Sequence, residues 1–298
     1  MTDPVRVWYS PLVPKPDLTI DNATEPACQP PRIHPTAIVH PKARLDSSVQ
    51  VGPYAVIDED VELGEGCVVG PHVHLTGRTT IGVHNKFYAS GVIGEASQDL
   101  KYAGEPTRLR IGDRNTFREH VTVNRSSVME EDTVIGSNNL LMAHCHVAHN
   151  VVIGNNVILS CGALLAGHVV VSDRAIISGN CVVHQFVRIG TLAMMQGGSA
   201  ISKDLPPFTI VRWTNSLSGL NVIGLRRAGF TPAERLELKQ VYKALFRSGL
   251  NLSTALEVAQ KTFSSGPAKV FLEFVAASKR GVCFPTRGRG TGEPEEEE

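Results

Sequence analysis

Closely spaced cysteine pairs are missing: Cys28, Cys67, Cys145, Cys161, Cys181 and Cys283 stand far apart, and no CxxC occurs. That excludes a disulfide framework or a zinc ribbon as the source of the fold and points to a reducing compartment. Long apolar runs are missing as well. No stretch reaches the roughly eighteen residues that a membrane helix needs, and the N-terminus lacks a charged segment followed by an apolar one, so the sequence predicts a cytoplasmic protein without a membrane span. Aromatic residues make up only 6%, too little for a base-stacking surface. Charge of either sign is not in excess, with 29 Lys+Arg against 29 Asp+Glu. No global field draws nucleic acid or an anionic membrane, and an anionic ligand has to be met by a local patch.

What is present is glycine, 27 residues of it, in a chain of 298 that is 42% hydrophobic. Such a chain can bury a core while turning often. The turns follow a period of six. From Ile33 every sixth residue is apolar through Ile93, eleven in succession. The register fails at Asp99 and Glu105, resumes at Ile111 and runs through Met129 to Ile201, sixteen more. Four residues after each apolar position the side chain is usually small or β-branched, as in Ala37, Ala55, Ala163, Ala175 and Cys181. Short strands that cannot bury an apolar row alone must stack, so that like positions form ladders about 4.8 Å apart. The expectation is a left-handed parallel β-helix of three hexapeptides per coil over residues 32–210.

The polar stretch EASQDLKYAGEPTRLR should leave the prism as a loop over residues 95–110, and loops on rigid scaffolds carry function. A second excursion is expected at SSVMEED, although Met129 keeps the period. After Pro206 and Pro207 the repeat ends, and a helical pattern begins at Asn221. Thr231, Pro232 and Glu234 form a start signal for a helix that Gly249 stops. Further helices are expected from near Ser253 to Thr262 and from Pro267 to about Lys279. This gives a helical C-terminal domain over residues 211–285, preceded by an irregular extension at 1–31 and followed by a loose acidic tail at 286–298.

Histidines gather on the later coils: His144, His146, His149, His168 and His184. A rise of eighteen residues per coil stacks His149, Gly167 and Gln185, with His168 and His184 beside the latter two. The ladder positions Val147, Leu165 and Val183 lie two residues earlier, so this column sits near a corner, where a partner chain can pack. Three readings stay open: surface imidazoles without chemistry, a metal site with the His144 to His149 spacing, or base catalysis. In the last, a neutral His149 takes a proton from a hydroxyl. The Gly167 N–H faces the resulting oxyanion, and either Asn150 or a backbone carbonyl fixes the tautomer.

The segments IGEASQDLKYAGEPTRLRIGDRNTFREHVTV, NNLLMAHCHVAHN, LLAGH, VVHQF and GLNVIGLRRAGF, in that order, resemble the UDP-N-acetylglucosamine acyltransferases that open lipid A biosynthesis, over about residues 33–281. The resemblance implies a homotrimer with sites between neighbouring prisms and acyl carrier protein as donor. No cofactor is implied beyond the phosphopantetheine that delivers the acyl group, and no metal. It implies His149 as general base and Gly167 as oxyanion amide, with Asp99, Lys101, His146, His168, His184 and Gln185 lining the cleft. Asn221 and Arg227 fall on its nucleotide-contacting segment, and Gly197 on the position that limits acyl length. The chain departs from the pattern at Asn150, where Asp is frequent, at Asn124, where His is frequent, and at Ile223 and Ala228. An N-acyltransferase of a UDP-amino sugar and a metal-dependent enzyme of the carbonic anhydrase type are the competing functions.

Overall fold

A computed structural model of the protein describes residues 32–286; the extension at 1–31 and residues 287–298 lie outside the described residues. The six-residue period appears as two-residue strands separated by tight corners. Ile33 pairs with Val51, Val51 with Val69 and Val69 with Phe87, always in parallel, so a full coil takes eighteen residues. Three walls result, of eleven, nine and eight strands, in a left-handed parallel β-helix. Ladder residues such as Ile57, Leu75, Ile93, Leu141, Leu159 and Ile177 are fully buried between the walls. The small corner residues Ala55, Ala163, Ala175 and Cys181 are buried too. A wide side chain there would force the walls apart.

Corners carry their own sequence logic. The residue that completes each turn adopts a left-handed φ, as at His144, Asn150, Asn156, His168 and Asn180. Asn and His tolerate that region better than most residues. Inside one corner a column of asparagines replaces apolar packing. The Asn115 and Asn139 amide N–H groups donate to the side chains of Asn85 and Asn115, and Val157 N–H donates to Asn139, each within 2.9 Å. Their Nδ2 groups donate to the carbonyls of Gly112, Gly136 and Gly154. Each buried amide is therefore satisfied on both sides.

Two coils are longer than the rest. Phe87 pairs with Phe117 and Ile93 with Val123, thirty residues on, so the first loop adds two hexapeptides. It is narrower than the sequence suggests: strand Val92–Glu95 precedes it and strand Arg108–Ile111 follows it, leaving 96–107 outside the walls. Phe117 pairs with Leu141, twenty-four residues on. The SSVMEED excursion therefore adds a third extra hexapeptide, and Met129, although in register by count, sits exposed in it instead of in the ladder. Asp132 fastens its end through Arg108 at 2.7 Å and Arg110 at 2.6 Å. Polar anchoring overrides the period there.

Beyond the last coil, strand Thr209–Arg212 extends the eleven-stranded wall and turns back as the antiparallel strand Ser216–Leu220. Period six gave no sign of this hairpin. Four helices follow: α1 (Val222–Arg227), α2 (Pro232–Phe246), α3 (Leu252–Thr262) and α4 (Gly266–Ala276). α2 opens with the expected reciprocal cap between Thr231 and Glu234. α4 stops at Ala276, short of the expected Lys279. Prism and helices are joined at Asp204, whose fully buried carboxylate accepts from Arg188 Nε at 3.0 Å and Nη2 at 2.8 Å, and from Ser278 Oγ at 2.8 Å. Among the described residues no helix is long and apolar enough to cross a membrane.

Candidate active site

The corner between the nine-stranded and eight-stranded walls lies between strands His146–Val147 and Val152–Ile153. His149 lies on this corner and Asn150 completes its turn with φ 58°. One coil on, Gly167 and His168 repeat the corner, and Gln185 and Phe186 repeat it again, held by His168 N–H to His149 O at 3.1 Å and Phe186 N–H to Gly167 O at 3.0 Å. The His168 ring stacks on Phe186 at 4.5 Å and meets His149 edge-on at 5.3 Å. The predicted column of His149, Gly167 and Gln185 is therefore present.

Gly167 is required for a steric reason. A Cβ on it would come within 2.6 Å of both Cε1 and Nε2 of His149, so the imidazole lies directly against the bare backbone. Among the described residues no acceptor takes the Gly167 N–H.

The other face of His149 is tightly determined. Its Nδ1 is 2.9 Å from Asn150 Oδ1. That oxygen also accepts from Ser127 N–H at 3.1 Å and Ser127 Oγ at 2.9 Å, while Asn150 Nδ2 donates to Ser126 Oγ at 2.7 Å and Glu131 Oε2 at 3.2 Å. A backbone N–H can only donate and a carboxylate can only accept, so the amide has one orientation. His149 Nδ1 thus faces an acceptor and carries the proton, which leaves the Nε2 lone pair open.

His146 stands on the adjoining wall with Nδ1 2.8 Å from Thr122 Oγ1. Burial, and then the His149 charge, push its pKa down. His168 is pushed down by the same causes in the same order, against an opposing pull from Glu131 and Asp99. Both rings therefore favour the neutral form. Asp99 belongs to the first loop, where its Oδ1 accepts Lys101 N–H at 3.0 Å; the Lys101 side chain is exposed. His184 and the Gln185 carbonyl are met by Arg280, whose Nη1 donates to Gln185 O at 2.7 Å.

Three expected residues lie apart from this corner. Gly197 follows strand Met194–Met195 and precedes Ala200–Ile201, at the opposite edge of the nine-stranded wall. Asn221 caps α1, accepting Gly224 N–H at 2.9 Å and donating to Leu192 O at 2.9 Å, so its amide is committed to structure. Arg227 ends α1, exposed and without an ion pair among the described residues. His144 stacks on His120 at 4.9 Å at another corner, away from His149. Among the described residues no group of three His, Cys, Asp or Glu side chains is arranged to hold a metal ion. Of the departures, Asn124 Nδ2 donates to Ala96 O at 2.7 Å while its Oδ1 is buried without a partner among the described residues. Ile223 is exposed on α1 and Ala228 caps its end.

Sequence reasoning missed Thr122, Ser127, Glu131, Phe186 and Arg280. Phe186 stands eighteen residues after His168 and the coil count alone could have found it. Glu131 and Ser127 belong to an insertion that leaves the ladder, and nothing in the sequence aims them at His149.

Comparison with known proteins gives a consistent result. A family model described as UDP N-acetylglucosamine O-acyltransferase, domain 2, matches residues 204–283. A bacterial transferase hexapeptide model matches 42–77 and 132–167. An acyl-[acyl-carrier-protein]–UDP-N-acetylglucosamine O-acyltransferase of Janthinobacterium sp. is 47% identical over 84% of this chain and 98% of its own length. One of Halorhodospira halophila is 46% identical with the same coverage. Among solved structures, the UDP-N-acetylglucosamine acyltransferase of Francisella novicida superposes with TM-score 0.83 at 34% identity, over 86% of this chain and 95% of the other. That of Bacteroides fragilis gives 0.80 at 38%, over 84% and 99%.

Proposed function

We propose, for a chain that belongs to the UDP-N-acetylglucosamine O-acyltransferase family, that it moves a 3-hydroxyacyl group from acyl carrier protein to the 3-hydroxyl of UDP-N-acetylglucosamine, the first step of lipid A biosynthesis, with His149 as general base. Nε2 of His149 takes the proton as the sugar oxygen attacks the thioester carbon. The tetrahedral oxyanion is met by the Gly167 N–H. When the C–S bond breaks, the imidazolium returns the proton to the departing thiolate, so the hydroxyl proton ends on the carrier's thiol. No metal or added cofactor takes part.

The observation that carries this reading is the tautomer: Asn150 leaves His149 with its proton on Nδ1 and a free Nε2 beside Gly167. Neutral His146 and His168 suit an uncharged acceptor hydroxyl, while Arg227 suits a diphosphate. Asp99, Lys101, His184 and Gln185 complete the cleft, Asn221 shapes the nucleotide segment, and Gly197 leaves room for the acyl end. A neighbouring chain of a homotrimer closes the site. Supporting this, Val152, Leu164, Val170, Val182 and Phe186 expose apolar surface on both sides of the histidine corner. The functional division follows at 32–210 for catalysis and 211–285 for the nucleotide.

His149→Ala should abolish acyl transfer while leaving the sedimentation mass at three chains of 32.2 kDa, because His149 stands outside the apolar ladder. Turnover within tenfold of the parent would exclude His149 as the base.

A further inference from the structure

We infer that Glu131 is the positioning residue for His149, supplying through the Asn150 amide the negative charge that the base's immediate neighbour lacks. The inference rests on the reading of His149 as base. Histidine bases are commonly oriented by a third group whose charge favours the imidazolium that forms during proton transfer. Here the group hydrogen-bonded to Nδ1 is a neutral amide, and the Glu131 carboxylate stands one hydrogen bond further out. Glu131 Oε2 accepts from Asn150 Nδ2 at 3.2 Å, and Asn150 Oδ1 accepts from His149 Nδ1 at 2.9 Å. Carboxylate, amide and imidazole thus form one hydrogen-bonded chain. Linked hydrogen bonds polarise one another, so the carboxylate strengthens Oδ1 as an acceptor at the moment His149 gains its second proton.

Three further observations support the assignment. The Asn150 amide is buried, which makes its orientation costly to change. Among the described residues no Lys or Arg pairs with Glu131, and its neighbour His168, with Nδ1 at 3.6 Å, favours the neutral form, so no cation cancels its charge. The excursion that carries Glu131 is also held at both ends: Ser126 N–H donates to Arg108 O at 3.2 Å, and Asp132 is gripped by Arg108 and Arg110. These extra residues, one hexapeptide more than a coil needs, deliver one carboxylate to the back of the base.

The test is a charge exchange. kcat and KM for UDP-N-acetylglucosamine are measured for the parent, His149→Ala, Glu131→Gln, Asn150→Asp and the double Glu131→Gln/Asn150→Asp, with thermal unfolding of each. Glu131→Gln should lower kcat roughly tenfold with KM and melting temperature little changed. The double variant, which interchanges carboxylate and amide, should recover most of that kcat. Asn150→Asp alone, which sets two carboxylates against each other, should itself fall below the parent kcat and below the double variant. Parent-like kcat in Glu131→Gln, or a loss that the double variant does not repair, would overturn the role of Glu131 while an inactive His149→Ala left the base standing. An active His149→Ala would remove both.

Discussion

At Gly167 a single hydrogen atom decides where the His149 imidazole can lie. A methyl group there would have to occupy space 2.6 Å from two ring atoms of His149, and the ring, not the hydrogen-bonded corner, is what can move. Because a displacement of about 1 Å in a reacting group costs on the order of a hundredfold in rate, Gly167→Ala should lower kcat by about that factor. Its unfolding should stay close to the parent's. A fully active Gly167→Ala would mean that the imidazole does not react from this position. The neighbouring histidines make a separate prediction about stability. Burial lowers the pKa of His146 and His168 from the ordinary 6.5. Below 6.5 the unfolded chain therefore binds more protons than the folded one, until the folded groups titrate too. Stability is full at neutral pH and falls as pH drops through 6.5. In urea titrations between pH 7.5 and 5, as assay conditions of about that range, the parent should lose stability and His146→Gln should lose less. Parallel losses would assign the acid sensitivity to other groups.

Between elements, the most demanding contact is the buried carboxylate of Asp204, which ties Arg188 on the prism to Ser278 beyond α4. Removing it leaves the Arg188 guanidinium facing a buried gap, and breaking such a pair costs about 3 kcal/mol even with Arg188 partly exposed. Asp204→Ala should therefore be destabilised by about that amount in equilibrium unfolding, and a change below about 1 kcal/mol would show that helices and prism are held by their other contacts without it. Elements differed in how openly the sequence announced them. The strands were legible because one apolar residue in six has a single place to go, and α2 was legible because Thr231 and Glu234 cap it reciprocally. The hairpin Thr209–Arg212/Ser216–Leu220 was not, because it pairs by backbone hydrogen bonds onto an existing wall and needs no period of its own. Met129 misled for the opposite reason: it satisfies the count in a segment whose course is set by Asp132 and its arginines.

Across the whole molecule, repetition provides the scaffold and the column at its corner, and the interruption at 126–132 adds the side chains behind that column. Eighteen residues per coil bring His149, Gly167 and Gln185 into one column, and that much of the site could be read by counting. What counting could not supply is the support behind His149, since Ser127 and Glu131 belong to an insertion that keeps the six-residue count while leaving the ladder. Acyl length belongs to this scale too. Gly197 occupies the far edge of the nine-stranded wall, and a Cβ there would meet only Gly179 O at 3.5 Å, an ordinary contact. Gly197→Met should fold normally and shift preference toward shorter acyl chains by a few carbons, read from competition between donors of different length. An unchanged preference would remove Gly197 as the limit.

The measurement that tests the account most directly is product identification after the purified protein is incubated with UDP-N-acetylglucosamine and 3-hydroxyacyl carrier proteins of several lengths, with and without a metal chelator. An ester at the sugar 3-hydroxyl should form equally in both conditions. No ester, an amide formed only when a 3-amino sugar is offered, or an ester lost with chelator and restored by zinc would contradict it.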